Sequence, residues 1–407
     1  MSNERRTLAK GLVFVGAATM VGNAAAFLLT MVAARVLTPD EFGALGALLG
    51  MLVIISTVSI ATQALTARRV AVTSGVERAG VEGEAIRLSV LVGIVIVLAG
   101  LLLAWPLGTI FTIPPVAVAA GVASLAFVVF GGAAMGIAQG REEHVRLSAA
   151  FLVNQIGRAI GGIVGVVALS SVTGVGVGIL IGCAVGSLAA YWIASPRAWS
   201  SHVSRGVASE FGHVVHALVV LFTLTNIDVL LARLFLDGNQ SGEYSVGVQL
   251  AKIAFFLPNA IVIVLFPKMT AGDNRRAVYV ATGLTAVVGV VITAFSFAFG
   301  GLVTRILGGT QYTDLSSEIW LFALEGSAFA LVQVLLYARL ATQDRTAVVA
   351  VWAALVIQTA VIVVWRHGSL VEIVTTVVAV SLVLTVAGLL MDRRQSPGVP
   401  IPIEAVE

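Results

Sequence analysis

The sequence is poor in charged residues and contains a single cysteine. Only 11% of its 407 residues are Asp, Glu, Lys or Arg, whereas a soluble domain carries about a quarter. This scarcity excludes an ordinary soluble fold. The lone cysteine, Cys183, excludes an intramolecular disulfide and a cysteine-based metal site. The sequence has no G-x-x-x-x-G-K-S/T loop for ATP hydrolysis, and no basic cluster interleaved with aromatic residues that would indicate nucleic-acid binding.

What is abundant is apolar sequence. Hydrophobic residues make up 58% of the chain, the mean hydropathy is +1.03, and the apolar residues form runs of about 20, the length that crosses a bilayer. The sequence therefore predicts an all-α integral membrane protein of about twelve transmembrane helices. The predicted spans are 11–34, 43–66, 86–106, 115–139, 147–169, 174–195, 213–236, 243–268, 277–300, 317–340, 346–366 and 370–391.

The distribution of positive charge predicts the orientation. Lys and Arg collect in alternate connections, on the side that also holds both termini, and only four arginines fall in the opposite connections: Arg35, Arg233, Arg305 and Arg366. Because cytoplasmic loops of membrane proteins are rich in Lys and Arg, both termini are predicted to be cytoplasmic. The expected location is the cell (inner or plasma) membrane.

The two halves of the chain repeat weakly. Span 1 ends in Ala34-Arg35 and span 7 ends in Ala232-Arg233, and in each case an aromatic residue follows shortly. Parallel repeats around a central site are typical of transporters. We therefore predict a first six-helix lobe at 1–196, a cytoplasmic linker at 197–212, a second six-helix lobe at 213–391 and a cytoplasmic tail at 392–407.

Two features of the spans concern packing. Glycines spaced by four lie in spans 4, 5 and 6, which predicts close helix contacts. Pro258 in span 8 lacks the amide proton that would bond to the carbonyl of Ala254, so a kink is predicted. This kink could serve as a gate or be static.

Ionisable residues inside the bilayer are costly unless they are paired or wetted. Arg158 lies at the centre of span 5, one turn after Asn154, and no carboxylate lies at its depth in the first half. We interpret it either as a substrate contact, because a guanidinium suits a pyrophosphate, or as a tether between helices. Asn154 itself, with the polar residues Asn23 and Gln63 in spans 1 and 2, is a further candidate for substrate binding.

The second half carries three more ionisable residues. Asp228 follows Asn226 in span 7, Lys252 lies in span 8 and Glu325 lies in span 10. Asp228 and Lys252 fall at similar depth. They are interpreted either as a static salt bridge that locks the helices or as part of an ion-coupling site in which Asp228 titrates or binds a cation. Glu325 and Asn226 are further candidates for this ion-coupling or lobe-locking site.

Enzymatic chemistry is not indicated. All five histidines lie in loops or at span ends, with no acidic or cysteine partner evident, so no metal site is predicted. We expect no cofactor. The predicted outer loops are too short to hold a catalytic domain.

Several motifs resemble those of one family. The run from Ala34 to Gly43 resembles the "ARxLxPxEFG" junction of polysaccharide-biosynthesis flippases. These belong to the multidrug/oligosaccharidyl-lipid/polysaccharide (MOP) exporter superfamily. Residues 224–228, 242–244, 256–258 and 265–267 are similar to the family's "LTNxD…GxY…FLP…LFP" stretch, and residues 136–140 resemble its end of span 4.

The resemblance implies a V-shaped pair of six-helix lobes and an alternating-access flippase. Its substrate would be a polyprenyl-pyrophosphate-linked oligosaccharide, moved from the inner to the outer leaflet for envelope polysaccharide synthesis. The expected partners are this lipid-linked oligosaccharide, membrane lipids and a coupling cation (Na+ or H+), and no nucleic acid. The alternatives are a MATE-type drug or organic-cation antiporter and a membrane-embedded enzyme of glycan assembly.

Overall fold

The computed structural model describes residues 2–197, 205–258, 274–340 and 345–394. This part of the chain contains fourteen α-helices, one 3-10 helix and no strand. The first six helices are α1 (Ser2–Val36), α2 (Pro39–Val72), α3 (Gly75–Ile110), α4 (Pro115–Gly140), α5 (His144–Leu169) and α6 (Val172–Ala194). The others are α7 (Arg205–Leu224), α8 (Ile227–Phe235), α9 (Gly238–Phe256), α10 (Asn274–Ala298), α11 (Gly300–Leu307), the 3-10 helix (Thr310–Ser317), α12 (Ile319–Leu340), α13 (Arg345–Val364) and α14 (Leu370–Arg394).

Local sequence fixes several helix starts. Thr38 caps α2, where its hydroxyl accepts from the amide of Glu41 and the Glu41 carboxylate accepts from the amide of Thr38. Asp237 caps α9 by accepting from the amide of Gln240 at 2.9 Å. These caps satisfy amides that have no partner within a first helical turn. They set the points at which α2 and α9 enter the molecule.

The helices are consistent with the predicted all-α membrane fold. Among the described residues, eight helices are long and apolar enough to cross a bilayer, and two bent pairs raise the number to ten. With α9 and α13, which lie at the predicted spans 8 and 11, the order is consistent with twelve spans.

Two connections between the predicted spans are largely helical. In the stretch 67–85, between spans 2 and 3, α2 continues to Val72 and α3 begins at Gly75. The charged residues that ended the apolar runs are helical here, and Arg69 pairs with Glu84 at 2.9 Å. The stretch 301–316, between spans 9 and 10, is occupied by α11 and most of the 3-10 helix.

The helices pack in two groups, which we call the first bundle (α1–α6) and the second bundle (α7–α14). Helix α5 packs against α6 and α1, whereas α12 packs against α9, α10 and α14. Helix α2 makes the main contacts between bundles, against α7, α8 and α9. The predicted linker 197–212 is helical from Arg205, and residues 198–204 lie outside the described part, as does the tail after residue 394.

The predicted glycine contacts are confirmed. A Cβ on Gly161 would overlap the carbonyl of Gly178, and one on Gly165 would overlap that of Gly174, so α5 and α6 touch backbone to backbone. In α4, a Cβ on Gly136 would lie 2.6 Å from the carbonyl of Gln63 in α2. Close backbone approach of this kind replaces the hydrophobic effect as the source of helix association in a bilayer.

Candidate functional site

A cavity of about 300 Å³ lies between the two bundles. Helices α1, α2 and α5 line it from the first bundle, and α7, α9, α12 and α13 line it from the second. Its walls are mostly apolar and include five phenylalanines, Phe27, Phe222, Phe255, Phe256 and Phe329. The ionisable side chains that enter it are two cations, Arg158 and Lys252, and one carboxylic acid, Glu325.

Arg158 lines this cavity from α5. The side chain is half-buried, and no hydrogen bond or ion pair joins it to any residue that the structure describes. Asn23 of α1 and Gln155 of α5 line the same space. A guanidinium in this position faces the cavity as a donor with no acceptor on the described protein.

Lys252 enters the cavity from α9, in the opposite bundle. Lys252 and Arg158 line the same cavity of about 300 Å³, so their positive charges repel each other across it. Glu325 lines this cavity too. Within the described residues Lys252 forms no ion pair, so the cavity holds two cations that no carboxylate neutralises by direct contact.

Two carboxyl groups meet beside the cavity in the second bundle. Asp228 of α8 is 1% exposed and Glu325 of α12 is 2% exposed, and the two lie within hydrogen-bonding reach of each other. Tyr244 of α9 donates its hydroxyl to Oδ2 of Asp228 at 2.8 Å. The Oδ1 atom of Asp228 and the Oε2 atom of Glu325 have no hydrogen-bond donor among the described residues. Two buried carboxylates in contact require a shared proton or a cation.

A break in span 7 places these groups. Helices α7 and α8 are bent by 43° at Thr225 and Asn226. Asn226 donates to the carbonyl of Phe222 at 3.0 Å, while its own Oδ1 is buried without a partner in the described chain. Gln358 of α13 donates to the carbonyl of Leu224 at 3.3 Å. Side-chain amides thus satisfy the carbonyls that the break frees, as a membrane interior requires.

The structure brings together six of the predicted site residues. Asn23, Arg158, Asn226, Lys252 and Glu325 line the cavity, and Asp228 is buried beside it. The direct salt bridge between Asp228 and Lys252, one of the two interpretations of this pair, is not formed. Tyr244 and Glu325 occupy the positions around the Asp228 carboxyl instead.

Other predicted residues lie elsewhere. Asn154 faces α6 and donates to the hydroxyl of Ser187 at 2.8 Å, which makes it a tether between helices. Gln63 donates to the side chain of Gln139 in α4 at 2.9 Å and does not line the cavity. Helix α9 ends at Phe256, two residues before Pro258, and residues 259–273 lie outside the described part. The predicted kink therefore falls at the edge of the described residues and stays a prediction.

Tyr244 is a site residue that the sequence did not predict. It is fully buried, contacts Asp228 through its hydroxyl and packs edge-on against Phe322, with ring centroids 5.0 Å apart. The available signal was its position in the Gly242-Glu243-Tyr244 motif, one helix after an intramembrane carboxylate. For metals, the described residues contain no group of three or more His, Cys, Asp or Glu side chains placed to hold an ion.

Three solved structures show the fold to which this arrangement belongs. The chain is similar to an inward-facing MATE family multidrug resistance transporter of the MOP superfamily, with TM-score 0.75, 15% identity, and 94% of this chain and 97% of that chain covered. It is equally similar to the lipid II flippase MurJ in an inward closed conformation, with TM-score 0.75, 11% identity, and coverage of 94% and 87%. A MOP superfamily transporter from Pyrococcus furiosus Vc1 matches with TM-score 0.66, 15% identity, and coverage of 94% and 95%.

No curated protein sequence matches the chain. A family profile described as "Polysaccharide biosynthesis protein" does match it, over residues 8–273. This range includes the first bundle from residue 8 of α1 onward and the helices that carry Asp228, Tyr244 and Lys252. The family resemblance of the sequence motifs is thereby confirmed. The chain belongs to the polysaccharide biosynthesis protein family and has the fold of MOP superfamily transporters.

Proposed function

We propose that the chain is an alternating-access flippase. Its substrate is a polyprenyl-pyrophosphate-linked oligosaccharide, which it moves from the inner to the outer leaflet of the cell membrane for envelope polysaccharide synthesis. The observation that carries this proposal is the pair of cations, Arg158 and Lys252, that reach one cavity from opposite bundles. Family membership supports the link to polysaccharide synthesis.

A diphosphate fits this pair for electrostatic reasons. Arg158 and Lys252 repel each other, and neither is in contact with a described carboxylate. An anion placed between them relieves the repulsion and accepts charge-assisted hydrogen bonds from both. Because the two residues belong to different bundles, such an anion favours an arrangement in which the bundles stay close around it. The apolar walls suit the first isoprene units of a lipid carrier.

The carboxyl pair is the proposed coupling site. Asp228 and Glu325 are buried in contact, and each has an oxygen without a donor among the described residues. A proton or Na+ would neutralise them, and its departure would leave two like charges in a membrane interior. Binding and release of this cation therefore change the relative free energies of the inward-open and outward-open conformations.

An antiporter for drugs or organic cations is the second candidate. It is favoured by the acidic pair beside the cavity, because a cation could bind Glu325 directly. The similarity to a multidrug resistance transporter fits this alternative equally well at the level of fold. An enzyme of glycan assembly is the weakest alternative.

A binding experiment separates these candidates. The purified protein is heated with a short-chain polyprenyl diphosphate, with the matching polyprenol or with ethidium, and its unfolding temperature is measured. We expect only the diphosphate to stabilise the protein, because a ligand that binds the folded state raises the unfolding temperature. Arg158→Gln should abolish this shift. Arg366→Gln, which removes an exposed arginine outside the cavity, should preserve it.

The two alternative outcomes are distinct. Stabilisation by ethidium, retained in Arg158→Gln and lost in Glu325→Gln, would favour the antiporter. Equal stabilisation by the diphosphate and the polyprenol would mean that only the apolar part is recognised, which contradicts the role proposed for the cations. Reconstituted vesicles that flip a fluorescent lipid-linked sugar would then test transport directly.

A further inference from the structure

The two bundles meet closely at one face of the molecule. We call it the distal face, the side on which α1 ends and α2 begins, opposite the N-terminus. Here the first turns of α2 and α9 cross at two glycines. A Cβ on Gly43 would overlap the side chain of Ser241, and one on Gly242 would overlap the carbonyl of Pro39. The distal face is therefore closed by direct contact between backbones.

Arg233 extends from the second bundle across this contact. From α8, its Nε donates to the carbonyl of Phe111 at 3.0 Å and its Nη2 donates to that of Thr112 at 3.1 Å. Its Nη1 pairs with Oδ1 of Asp40 at 2.6 Å. The Arg233 side chain is only 4% exposed. All these acceptors belong to the first bundle.

Arg35 makes the reverse connection. From the end of α1, its Nη2 donates to the carbonyl of Ile306 at 2.6 Å and approaches that of Arg305 at 3.4 Å. Gln311 of the second bundle donates in the other direction, to the carbonyls of Ala34 and Leu37. The Arg35 side chain is more exposed than that of Arg233.

The two arginines correspond in the repeat. Each follows an alanine at the end of the first span of its half, 198 residues apart. Each donates to carbonyls at the end of a helix in the opposite half, α3 for Arg233 and α11 for Arg35. In the described chain, the carbonyls of Phe111, Thr112 and Ile306 accept no backbone amide, whereas that of Arg305 also accepts from the amide of Gly309 at 3.1 Å. A cation is favoured at a helix C-terminus. The connection is thus reciprocal.

We propose that Arg35 and Arg233 are two matched clamps that hold the distal gate shut, each binding the carbonyl end of a helix in the opposite bundle. Opening this face separates the guanidinium groups from their acceptors. Arg233 contributes more to the stability of the closed gate, because it is nearly buried and binds three residues. Bonds made at an exposed site, such as those of Arg35, are weakened by water. The proposal rests on the alternating access of the proposed function, but it requires no particular substrate.

Accessibility to a thiol reagent tests the clamps. Cys183, the only cysteine, is buried in α6 and is replaced by serine, and Val53→Cys then reports from the cavity wall. Right-side-out and inverted vesicles are treated with a membrane-impermeant maleimide, so that the distal side is identified by experiment. This readout needs no substrate and no transport, so its failure is distinguishable from failure of the proposed function.

We expect Arg233→Gln to raise the rate of labelling from the distal side by about tenfold, because several hydrogen bonds to a charged group are lost. Arg35→Gln should raise it by about twofold to threefold, as befits an exposed site. The double variant should exceed both. Arg305→Gln is the matched control, because it removes an exposed arginine at the same face while its carbonyl remains.

Labelling of folded Arg233→Gln at the wild-type rate would overturn the proposal. If Arg233→Gln does not fold, Arg35→Gln decides, since its exposed side chain is not needed for packing. Wild-type labelling of Arg35→Gln would then show that the clamps are not reciprocal and overturn the proposal as stated. An equal rise in Arg305→Gln would overturn it too, because surface charge alone would then be responsible.

Discussion

The two bundles treat their buried polar groups differently. Within the described chain, every buried side-chain oxygen or nitrogen without a hydrogen-bond partner belongs to the second bundle. These atoms are on Asn226, Asp228, Thr285, Thr293, Thr304, Tyr312, Glu325, Gln358 and Ser381. The first bundle satisfies even its buried charges, since Glu82, fully buried, pairs with Arg141. Because an unsatisfied buried group costs free energy, the second bundle holds places where water, a proton or a cation would stabilise it.

Both bundles contain helix contacts that leave no room for a side chain, at Gly161 against the carbonyl of Gly178 in the first and at Gly326 against the carbonyl of Ala251 in the second. The bundles differ in their helix breaks. Among the described residues, the two bent pairs lie in the second bundle, where span 7 is bent by 43° and a 71° bend separates the 3-10 helix from α12. Because a broken helix has ends that can move separately, we expect the first bundle to act as a scaffold and the second as the moving part.

Gly161→Leu should have the largest effect, because it breaks the scaffold. Its side chain would overlap the carbonyl of Gly178 and force α5 away from α6. Overpacking of this kind costs about 1–3 kcal/mol or more, and here the obstacle is backbone that cannot rotate aside. We expect little monodisperse protein in size-exclusion chromatography and a clear loss of thermal stability.

Gly283→Leu is the control for that experiment. Gly283 lies in α10 of the second bundle and has no atom within 4 Å of an added Cβ. It should purify like the wild type. Equal damage from both substitutions would mean that the α5–α6 contact is no more constrained than an open helix surface, and the comparison would fail.

Asp228→Asn should have the next largest effect, on transport and not on folding. It replaces one of the two buried carboxyl groups, Asp228 and Glu325, with a neutral amide. The site then no longer needs a proton or cation to offset two negative charges. We expect transport to fall by more than about tenfold, since a buried carboxylate at this position is costly to retain without a function. The protein should be at least as stable as the wild type.

The pH dependence of stability sharpens this prediction. If the pair holds one proton, as the proposed coupling site requires, its loss at higher pH leaves two buried charges, and stability should then fall by up to about 1.4 kcal/mol per pH unit in that range. Asp228→Asn and Glu325→Gln should each flatten this dependence, as measured by thermal unfolding at several pH values without Na+. An unchanged pH dependence in both variants would show that the carboxyl groups are not coupled.

Much of the fold follows from sequence because a bilayer restricts the choices. Apolar length, charge asymmetry and glycine spacing predict spans, orientation and close packing, and the glycines of α5 do meet those of α6. The helix ends were less predictable. Charged residues end an apolar run without ending a helix, as α2 and α3 show by extending past it, where Arg69 pairs with Glu84.

The site was predictable only in part. An isolated cation at mid-span, Arg158, has few physical solutions, and a cavity is one of them. Partners are harder to infer, because depth along a helix does not give the direction of a side chain around it. Asp228 and Lys252 are similar in depth, yet Tyr244 and Glu325 are what surround the Asp228 carboxyl. The Arg233 clamp joins residues more than 100 positions apart, and no local pattern indicates it.

Arg158→Lys tests the one exception in the scaffold, a cation of the first bundle without a partner in the described chain. Lysine keeps the charge but loses the planar fork that binds a phosphate through two parallel bonds. We expect the affinity for a short-chain polyprenyl diphosphate to fall by about tenfold, with no change in thermal stability. A large loss of stability would indicate that Arg158 holds helices together.

The smallest expected effects come from two asparagines that the sequence placed together and the structure separates. Asn154 is 3% exposed and bonds to Ser187 of α6, whereas Asn23 lines the cavity from α1. Asn154→Ala should cost about 1 kcal/mol of stability, the usual contribution of a buried hydrogen bond, and should leave diphosphate affinity unchanged. Asn23→Ala should leave stability unchanged and weaken diphosphate binding by about fivefold, as the loss of one hydrogen bond to a ligand would.

Thermal unfolding and binding are measured on both variants. If Asn154→Ala weakens binding while Asn23→Ala only destabilises, the cavity has been assigned to the wrong face of α5. Asn154 would then belong to the binding site, and the contrast between a fully hydrogen-bonded first bundle and an open site would be wrong.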